Sequence, residues 1–139
     1  MMLMETLENK MNSKIKEVWV NALRSGEYNQ GGEKLRGANG YCCLGVLCDI
    51  YVKEHNKEWE FVSVDEYSDE NNPYPMDYWY FDGESEFLPE SVREWAELNL
   101  RNPILRVEDE EDEFVDEVAN INDSGYSFST IADLIEAQL

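Results

Sequence analysis

The three cysteines are the most reactive side chains in this sequence, and two of them are adjacent. Cys42 and Cys43 stand at the start of a predicted helix, where the helix dipole favours a thiolate. Together with Gln30 upstream as an oxyanion donor, they could form the active site of a cysteine hydrolase. The single histidine, His55, lies twelve residues beyond Cys43, which is about 18 Å along a continuous helix. A direct Cys–His pair is excluded unless that helix breaks, so we interpret the cysteines as buried structural residues.

Metal ligands are not predicted either. Zinc needs about four ligands within tetrahedral reach. The segment that starts at Asn120 begins like a calcium-binding loop, but Ile131 stands where a bidentate glutamate is required. We therefore predict no catalytic residue, no metal and no cofactor, and we expect a protein that is not an enzyme and acts by binding. The possible zinc ligands lack both a CxxC unit and a common helical face: Cys42, Cys43, Cys48 and His55.

A glycine-rich segment, residues 26–40, offers a different kind of site. Its five glycines predict a loop or a short hairpin, and glycines let a backbone approach a ligand closely. An ordinary connecting loop is the alternative interpretation. The segment brings hydrogen-bonding and cationic groups into an acidic protein, and a nearby ring allows stacking on a nucleotide. The possible ligand-binding residues are Tyr28, Gln30, Lys34, Arg36 and Trp79.

Negative charge dominates the composition. The net charge is −20 over 139 residues. Residues 1–53 hold six acids against seven Lys and Arg, a net of +1, whereas residues 54–139 hold 25 acids against four bases, a net of −21. Such a surface repels nucleic acid and anionic lipid and attracts basic protein surfaces. We therefore expect a partner protein with a basic surface, and neither direct nucleic-acid binding nor membrane binding.

Six consecutive acidic residues are the main candidates for that contact. An extended chain spaces its residues at about 3.3 Å, close to the roughly 3.4 Å between phosphates along one DNA strand, so the run can imitate a phosphate track. A solvated loop is the alternative interpretation. The predicted partner-binding residues are Glu108, Asp109, Glu110, Glu111, Asp112, Glu113, Asp65, Glu66, Asp69 and Glu70.

An apolar segment from Tyr41 to Tyr51 must form the centre of the fold. At helical spacing its apolar side chains point in every direction, which predicts a buried helix reaching about His55. Asp49 and Lys53, at i and i+4, mark its one solvated side. Before it, residues 13–25 predict an amphipathic helix that is capped by Ser13 and closed by a glycine.

The second half of the chain predicts short strands and helices. Residues 59–64 and 78–81 are typical of strands, residues 82–83 of a turn, and residues 86–88 of a returning partner strand. The aromatic rings of this region fit either core packing or an exposed interface. Pro89 begins a short helix, residues 104–107 form a strand, and Ser127 caps a terminal helix. Helical spacing resumes at Phe114, Val115, Val118 and Ile121.

These elements predict an α+β fold without βαβ alternation. We expect residues 13–139 to form a single small domain, with a central buried helix, amphipathic helices around it and a short antiparallel sheet. Residues 1–12 are expected to be a poorly packed lead-in. No apolar stretch approaches the roughly 20 residues that cross a bilayer, and an odd cysteine count favours reduced thiols. A cytoplasmic location is therefore expected.

Four motifs occur in one order along the chain: WVxALRSGxYxQ at 19–30, YCCLGVLCD at 41–49, LPxxVxxWA at 88–96 and NDSGYSFxxIADLIE at 122–136. Together they resemble small uncharacterised proteins encoded by bacteriophages and prophages. The resemblance implies an accessory role without an established chemistry, in which the protein binds host machinery. It favours an inhibitor of a host nucleic-acid-handling or antiviral defence protein in the host cytoplasm. A protein that sequesters a nucleotide signal and a cysteine-dependent enzyme are the alternatives.

Overall fold

The fold is α+β, as predicted, in a computed structural model that describes residues 10–63, 77–108 and 113–139. None of the helices in these ranges has the length and apolar character needed to cross a bilayer. The helices are α1 (Ser13–Arg24), α2 (Cys43–Glu54), α3 (Glu90–Ala96), α4 (Val118–Asp123) and α5 (Phe128–Gln138). The strands are β1 (Arg36–Gly37), β2 (Gly40–Tyr41), β3 (Glu60–Val62), β4 (Tyr78–Tyr80), β5 (Ile104–Glu108) and β6 (Glu113–Glu117).

Helix α2 is the buried centre that the sequence predicted. Its first six residues are all buried, because apolar side chains surround the helix axis instead of forming a single stripe. Helix α1 packs its buried apolar residues, Trp19, Val20 and Leu23, against this core. Trp19 also donates its indole N–H to the Cys43 carbonyl at 2.9 Å. Helix α5 packs beside α1 and contributes Ile131 and Ile135.

The start of α1 differs from the prediction in its cap. The side chain of Asn12, not Ser13, accepts hydrogen bonds from the N–H groups of Lys14 and Ile15, each at 3.0 Å. Asparagine and serine are both good caps, so residue type alone did not decide between neighbouring positions. Met11 is buried, and its N–H donates to the carbonyl of Leu139. Residues 1–9 of the expected lead-in lie outside the described residues.

A four-stranded antiparallel sheet has the order β2-β1-β4-β3. The turn predicted at residues 82–83 is present, since Asp82 and Gly83 both have positive φ and Phe81 pairs with Glu84. The prediction of a partner strand at residues 86–88 is wrong. Strand β4 pairs with β1 on one side and with β3 on the other, so it has no free edge for that segment.

A separate two-stranded hairpin is formed by β5 and β6, which pair along their whole length from Ile104–Glu117 to Glu108–Glu113. The helical spacing predicted for Phe114 and Val115 is wrong, because both residues belong to β6. Adjacent apolar residues fit a helix stripe, but here they point to opposite sides of a strand. Helix α4 begins only at Val118.

Candidate functional site

The cysteines form no reactive site in the described fold. Cys42, Cys43 and Cys48 are all buried, as predicted. Burial raises the pKa of Cys42 to about 11 and raises the pKa values of the other two thiols. Cys42 caps α2, since its sulfur accepts from the Gly45 N–H at 3.4 Å. These thiols are held protonated and away from solvent, which disfavours attack on a substrate.

The groups that a cysteine hydrolase would need are elsewhere. His55 follows α2 at the opposite end from Cys43, is exposed, and stacks on Tyr51 with ring centroids 4.0 Å apart. Gln30 uses its amide N–H group on the Asn122 side chain and the Tyr126 carbonyl, and its amide oxygen accepts from the Phe128 N–H. His55 therefore packs against its own helix, and Gln30 holds the glycine-rich segment to the chain around residues 122–128.

Asn122 of α4 also bonds to the glycine-rich segment, in addition to its contact with Gln30. Its amide donates to the Gly31 carbonyl at 2.8 Å and accepts from the Cys43 N–H at 3.2 Å. Asn120, at the start of the calcium-like turn, donates to Asp116. Within the described residues no cluster of three or more His, Cys, Asp or Glu is arranged to hold a metal ion. The side chain of Asn122 thus connects α4 with the glycine-rich segment and with the start of α2.

Tyr28 belongs to a buried polar cluster around Asp49. Asp49 is only 3% exposed, so placing it on a solvated side of α2 was wrong. Its carboxylate accepts from the Tyr28 hydroxyl at 2.6 Å, the Trp59 indole at 3.0 Å and the Lys53 ammonium at 3.0 Å. Burial opposes ionisation, but these donors lower the pKa of Asp49 below its usual value. The cluster ties the glycine-rich segment to α2 and to the chain before β3.

The cations of the possible ligand site lie against aromatic rings. Arg36 places its guanidinium 4.2 Å from the ring centre of Trp79, with the rings of Tyr41 and Trp59 at 5.4 and 5.9 Å. Within the described ranges, Arg36 has no carboxylate at ion-pair distance. Lys34 lies 4.5 Å from the ring centre of Tyr78 and 3.6 Å from Glu86. Of the five possible ligand-binding residues, Arg36 and Trp79 are therefore in direct contact.

The predicted acidic surface is described only at the ends of its central run. Glu108 and Glu113 are exposed and lie opposite each other as the last pair of the β5–β6 hairpin. Arg106 on the same face approaches Glu113, with 3.3 Å between Nε and the carboxylate. The remaining residues of the predicted surface lie outside the described residues: Asp109, Glu110, Glu111, Asp112, Asp65, Glu66, Asp69 and Glu70.

The hairpin has a buried face and an outer face. Leu105 and Val107 point into the core, whereas the alternate residues of β5 are exposed, as the period of two in a strand requires. Ile104 is 51% exposed and Val115 is 61% exposed, so two large apolar side chains lie among the acidic ones. A groove of about 740 Å³ runs between this outer face and α5, where Leu134 and Gln138 line it. This apolar patch was not predicted from the sequence, because Val115 fits the spacing of a helix as well as that of a strand.

The chain belongs to a family defined by a domain of unknown function (DUF8296), whose model matches residues 11–139. The matched range contains both sheets and the five helices described above. No curated protein and no solved structure matches the chain. Family membership assigns no activity, and the link to bacteriophages remains a prediction.

Proposed function

We propose that this member of the DUF8296 family is an inhibitor that occupies the basic surface of another protein with its own acidic surface. The observation that carries the proposal is the position of the two described ends of the acidic run. Its two ends, Glu108 and Glu113, are directly opposite each other at the end of the hairpin. Because like charges directly opposite each other destabilise a sheet, the pairing of Glu108 with Glu113 costs stability. A need for concentrated negative charge accounts for that cost.

Local cations offset little of this charge. The ion pair between Arg106 and Glu113 joins two side chains that are 61% and 56% exposed. Exposed pairs contribute little and are screened by salt. Residues 54–139 carry a net charge of −21, and Arg106 is one of only four Lys and Arg residues in that range. A basic protein surface is therefore the partner with complementary charge.

The target class follows from the same chemistry. Proteins that handle nucleic acid carry basic surfaces for phosphate groups, and an acidic protein competes for those surfaces. The four motifs that resemble phage proteins favour a host target, either a nucleic-acid-handling or an antiviral defence protein, met in the host cytoplasm. Direct binding of nucleic acid or of an anionic membrane is disfavoured by the same negative field.

Capture of proteins from a host lysate, with increasing salt and with added duplex DNA, tests this function. We expect the captured protein to be released both by salt and by competing DNA, because both act on the same phosphate-binding surface. Changing residues 108–113 to their amides, Gln or Asn, should weaken capture about tenfold. Capture that resists salt, DNA and these substitutions would contradict the proposal.

A second variant with the same net charge tests whether binding depends on the position of the acidic residues or only on their number. Six exposed glutamates elsewhere can be changed to glutamine, so that both variants move from −20 to −14 by losing six negative charges. We expect the matched variant to keep most of the capture activity. Equal losses in both variants would show that net charge, and not the acidic run, decides binding. The matched positions are Glu17, Glu27, Glu33, Glu54, Glu58 and Glu94.

A second candidate function is supported by Arg36. This cation lies on the ring of Trp79 and provides both a positive charge and a stacking surface, as a nucleotide signal requires. In a thermal-shift assay, a nucleotide bound here should raise Tm at millimolar concentration. The shift should disappear in Arg36→Met, which keeps the length of the side chain. No stabilisation of the wild type by any nucleotide would rule out this function.

A further inference from the structure

The outer edge of β6 is open within the described residues, since β6 pairs only with β5. The Val118 N–H donates to the Pro103 carbonyl at 2.8 Å. Hydrogen-bonded and non-hydrogen-bonded pairs alternate in an antiparallel ladder, so Arg106 and Val115, three pairs further along, form a non-hydrogen-bonded pair. Val115 therefore directs its N–H and C=O away from β5. No described residue provides a hydrogen-bond partner for either group.

The opposite edge of the same hairpin is covered by a side chain. Gln138 of α5 accepts from the Arg106 N–H and donates to the Arg106 carbonyl, both at 2.8 Å. In the other sheet, the outer edge of β2 is covered by backbone groups: the Gly31 N–H donates to the Tyr41 carbonyl, and the Tyr41 N–H donates to the Asn29 carbonyl. An uncovered edge is a template for another chain, and β6 presents one.

The side chains along β6 specify what kind of chain fits. Glu113, Val115 and Glu117 lie on its outer face, where Val115 is 61% exposed. An antiparallel strand added to this edge places every second residue opposite one of them. Opposite charges and apolar pairs stabilise such cross-strand positions, and like charges destabilise them. The complementary segment therefore has a basic, an apolar and a basic residue at alternate positions.

We propose that β6 receives an extended basic segment of the partner protein as an added antiparallel strand. Main-chain hydrogen bonds to Val115 supply the pairing, and lysine or arginine side chains opposite Glu113 and Glu117 select the segment. Ile104 lies diagonally across from Val115 on the same face and extends the apolar contact. The inference rests on the proposed function, since it states how the basic partner is held.

A fluorescent acetyl-TKTVTKT-amide peptide provides the test, with binding measured by fluorescence anisotropy at low and high salt. In the proposed register its lysines and valine face β6 through their N–H groups, and its threonines direct theirs outward. Methylation of the valine nitrogen should weaken binding about tenfold, because a hydrogen bond is removed and a methyl group enters the interface. Methylation of the central threonine nitrogens should leave the affinity within about twofold. The charge-reversed peptide TETVTET should not bind.

Protein variants test the same contact from the other side. Val115→Pro removes the outward N–H without deleting a bond to β5, and proline is tolerated at strand edges. Val115→Thr keeps that N–H and is the matched control. We expect the proline variant to lose the peptide and the threonine variant to bind it, with circular dichroism confirming that both fold. If Val115→Pro does not fold, the methylated peptides decide the question alone.

Two outcomes would overturn the inference. Equal binding of the two methylated peptides would mean that charge alone holds the segment, without backbone pairing. No binding of TKTVTKT at 1 mM would mean that the edge does not receive such a strand. Neither outcome affects the capture experiment with amides at residues 108–113, so the two proposals can fail separately.

Discussion

At the scale of single residues, Asp49 joins three parts of the chain through one buried carboxylate. Tyr28 comes from the glycine-rich segment, Trp59 from the chain before β3, and Lys53 from the next turn of α2. Hydrogen bonds to a charged acceptor are stronger than neutral ones. Burial and the bond to Asp49 also raise the pKa of Tyr28, so its hydroxyl remains a donor.

We expect Asp49→Asn to lower the free energy of unfolding at pH 7 by about 2 kcal/mol, because charge-assisted hydrogen bonds are lost from a buried site. Urea denaturation followed by tryptophan fluorescence measures this change. Glu54→Gln, an exposed change of the same type in the same helix, should have an effect below about 0.5 kcal/mol. Equal effects of the two changes would mean that the Asp49 cluster contributes no special stability.

The same carboxylate predicts a dependence on pH. The folded-state pKa of Asp49 is lowered, so its contribution is present above the unfolded pKa of about 3.9 and is lost as pH falls through the folded value. The difference in unfolding free energy between wild type and Asp49→Asn should therefore be constant from pH 7 to about pH 5 and shrink in more acidic solution. A difference that grows as the pH falls would contradict the assigned direction.

At the scale of elements, the contact between α2 and the glycine-rich segment depends on Gly45. A Cβ atom at this position would lie 1.7 Å from the carbonyl oxygen of Leu35. The Cys42 N–H donates to the same carbonyl at 3.1 Å. The start of the helix and the loop thus meet through their backbones, which only glycine permits here.

We expect Gly45→Ala to destabilise the fold by about 3 kcal/mol or more, although alanine is the better helix former by about 1 kcal/mol. Thermal unfolding followed by circular dichroism measures the effect. Gly37→Ala is the matched control, since its Cβ would have no neighbour closer than 3.8 Å. A Gly45→Ala variant as stable as the wild type would mean that the two backbones are free to separate.

Local sequence patterns predicted the helices in which apolar residues recur at regular spacing. They did not predict features that depend on residues distant in the chain. Helix α2 followed from its apolar run, and α1 from its single stripe. Strand β6 was missed because Phe114 and Val115 fit a helical stripe as well as they fit a strand. The buried state of Asp49 depends on Tyr28 and Trp59, which are 21 and 10 residues away. Nothing in the local sequence marks those partners.

The same limit applied to the candidate site. The run of acidic residues was visible in the sequence, but the fact that its two ends, Glu108 and Glu113, lie opposite each other follows from the pairing of β5 with β6. The open edge of β6 is defined by the covered edge of β5, where Gln138 binds a strand 32 residues earlier. No local sequence pattern marks contacts between residues so far apart in the chain.

At the scale of the whole molecule, a net charge of −20 in 139 residues opposes the folded state. Folding brings carboxylates closer together than they are in the unfolded chain, and their repulsion is therefore larger in the compact state. Ions screen exposed charges that are more than about 10 Å apart at 0.1 M salt. Ion pairs in direct contact, such as Asp49–Lys53 at 3.0 Å, lie well within that distance and are weakened less. Added salt should thus weaken the long-range repulsion more than the attraction within contact ion pairs.

Raising NaCl from about 20 mM to about 500 mM should therefore increase Tm by roughly 5 °C. The amide variant of residues 108–113 should gain less, because six of the repelling charges are gone. Differential scanning calorimetry on both proteins measures the shifts, and KCl in place of NaCl checks that screening, and not specific cation binding, is responsible. A fall in wild-type Tm with salt would mean that exposed ion pairs outweigh the repulsion, and the negative field invoked for partner binding would then be weaker than proposed.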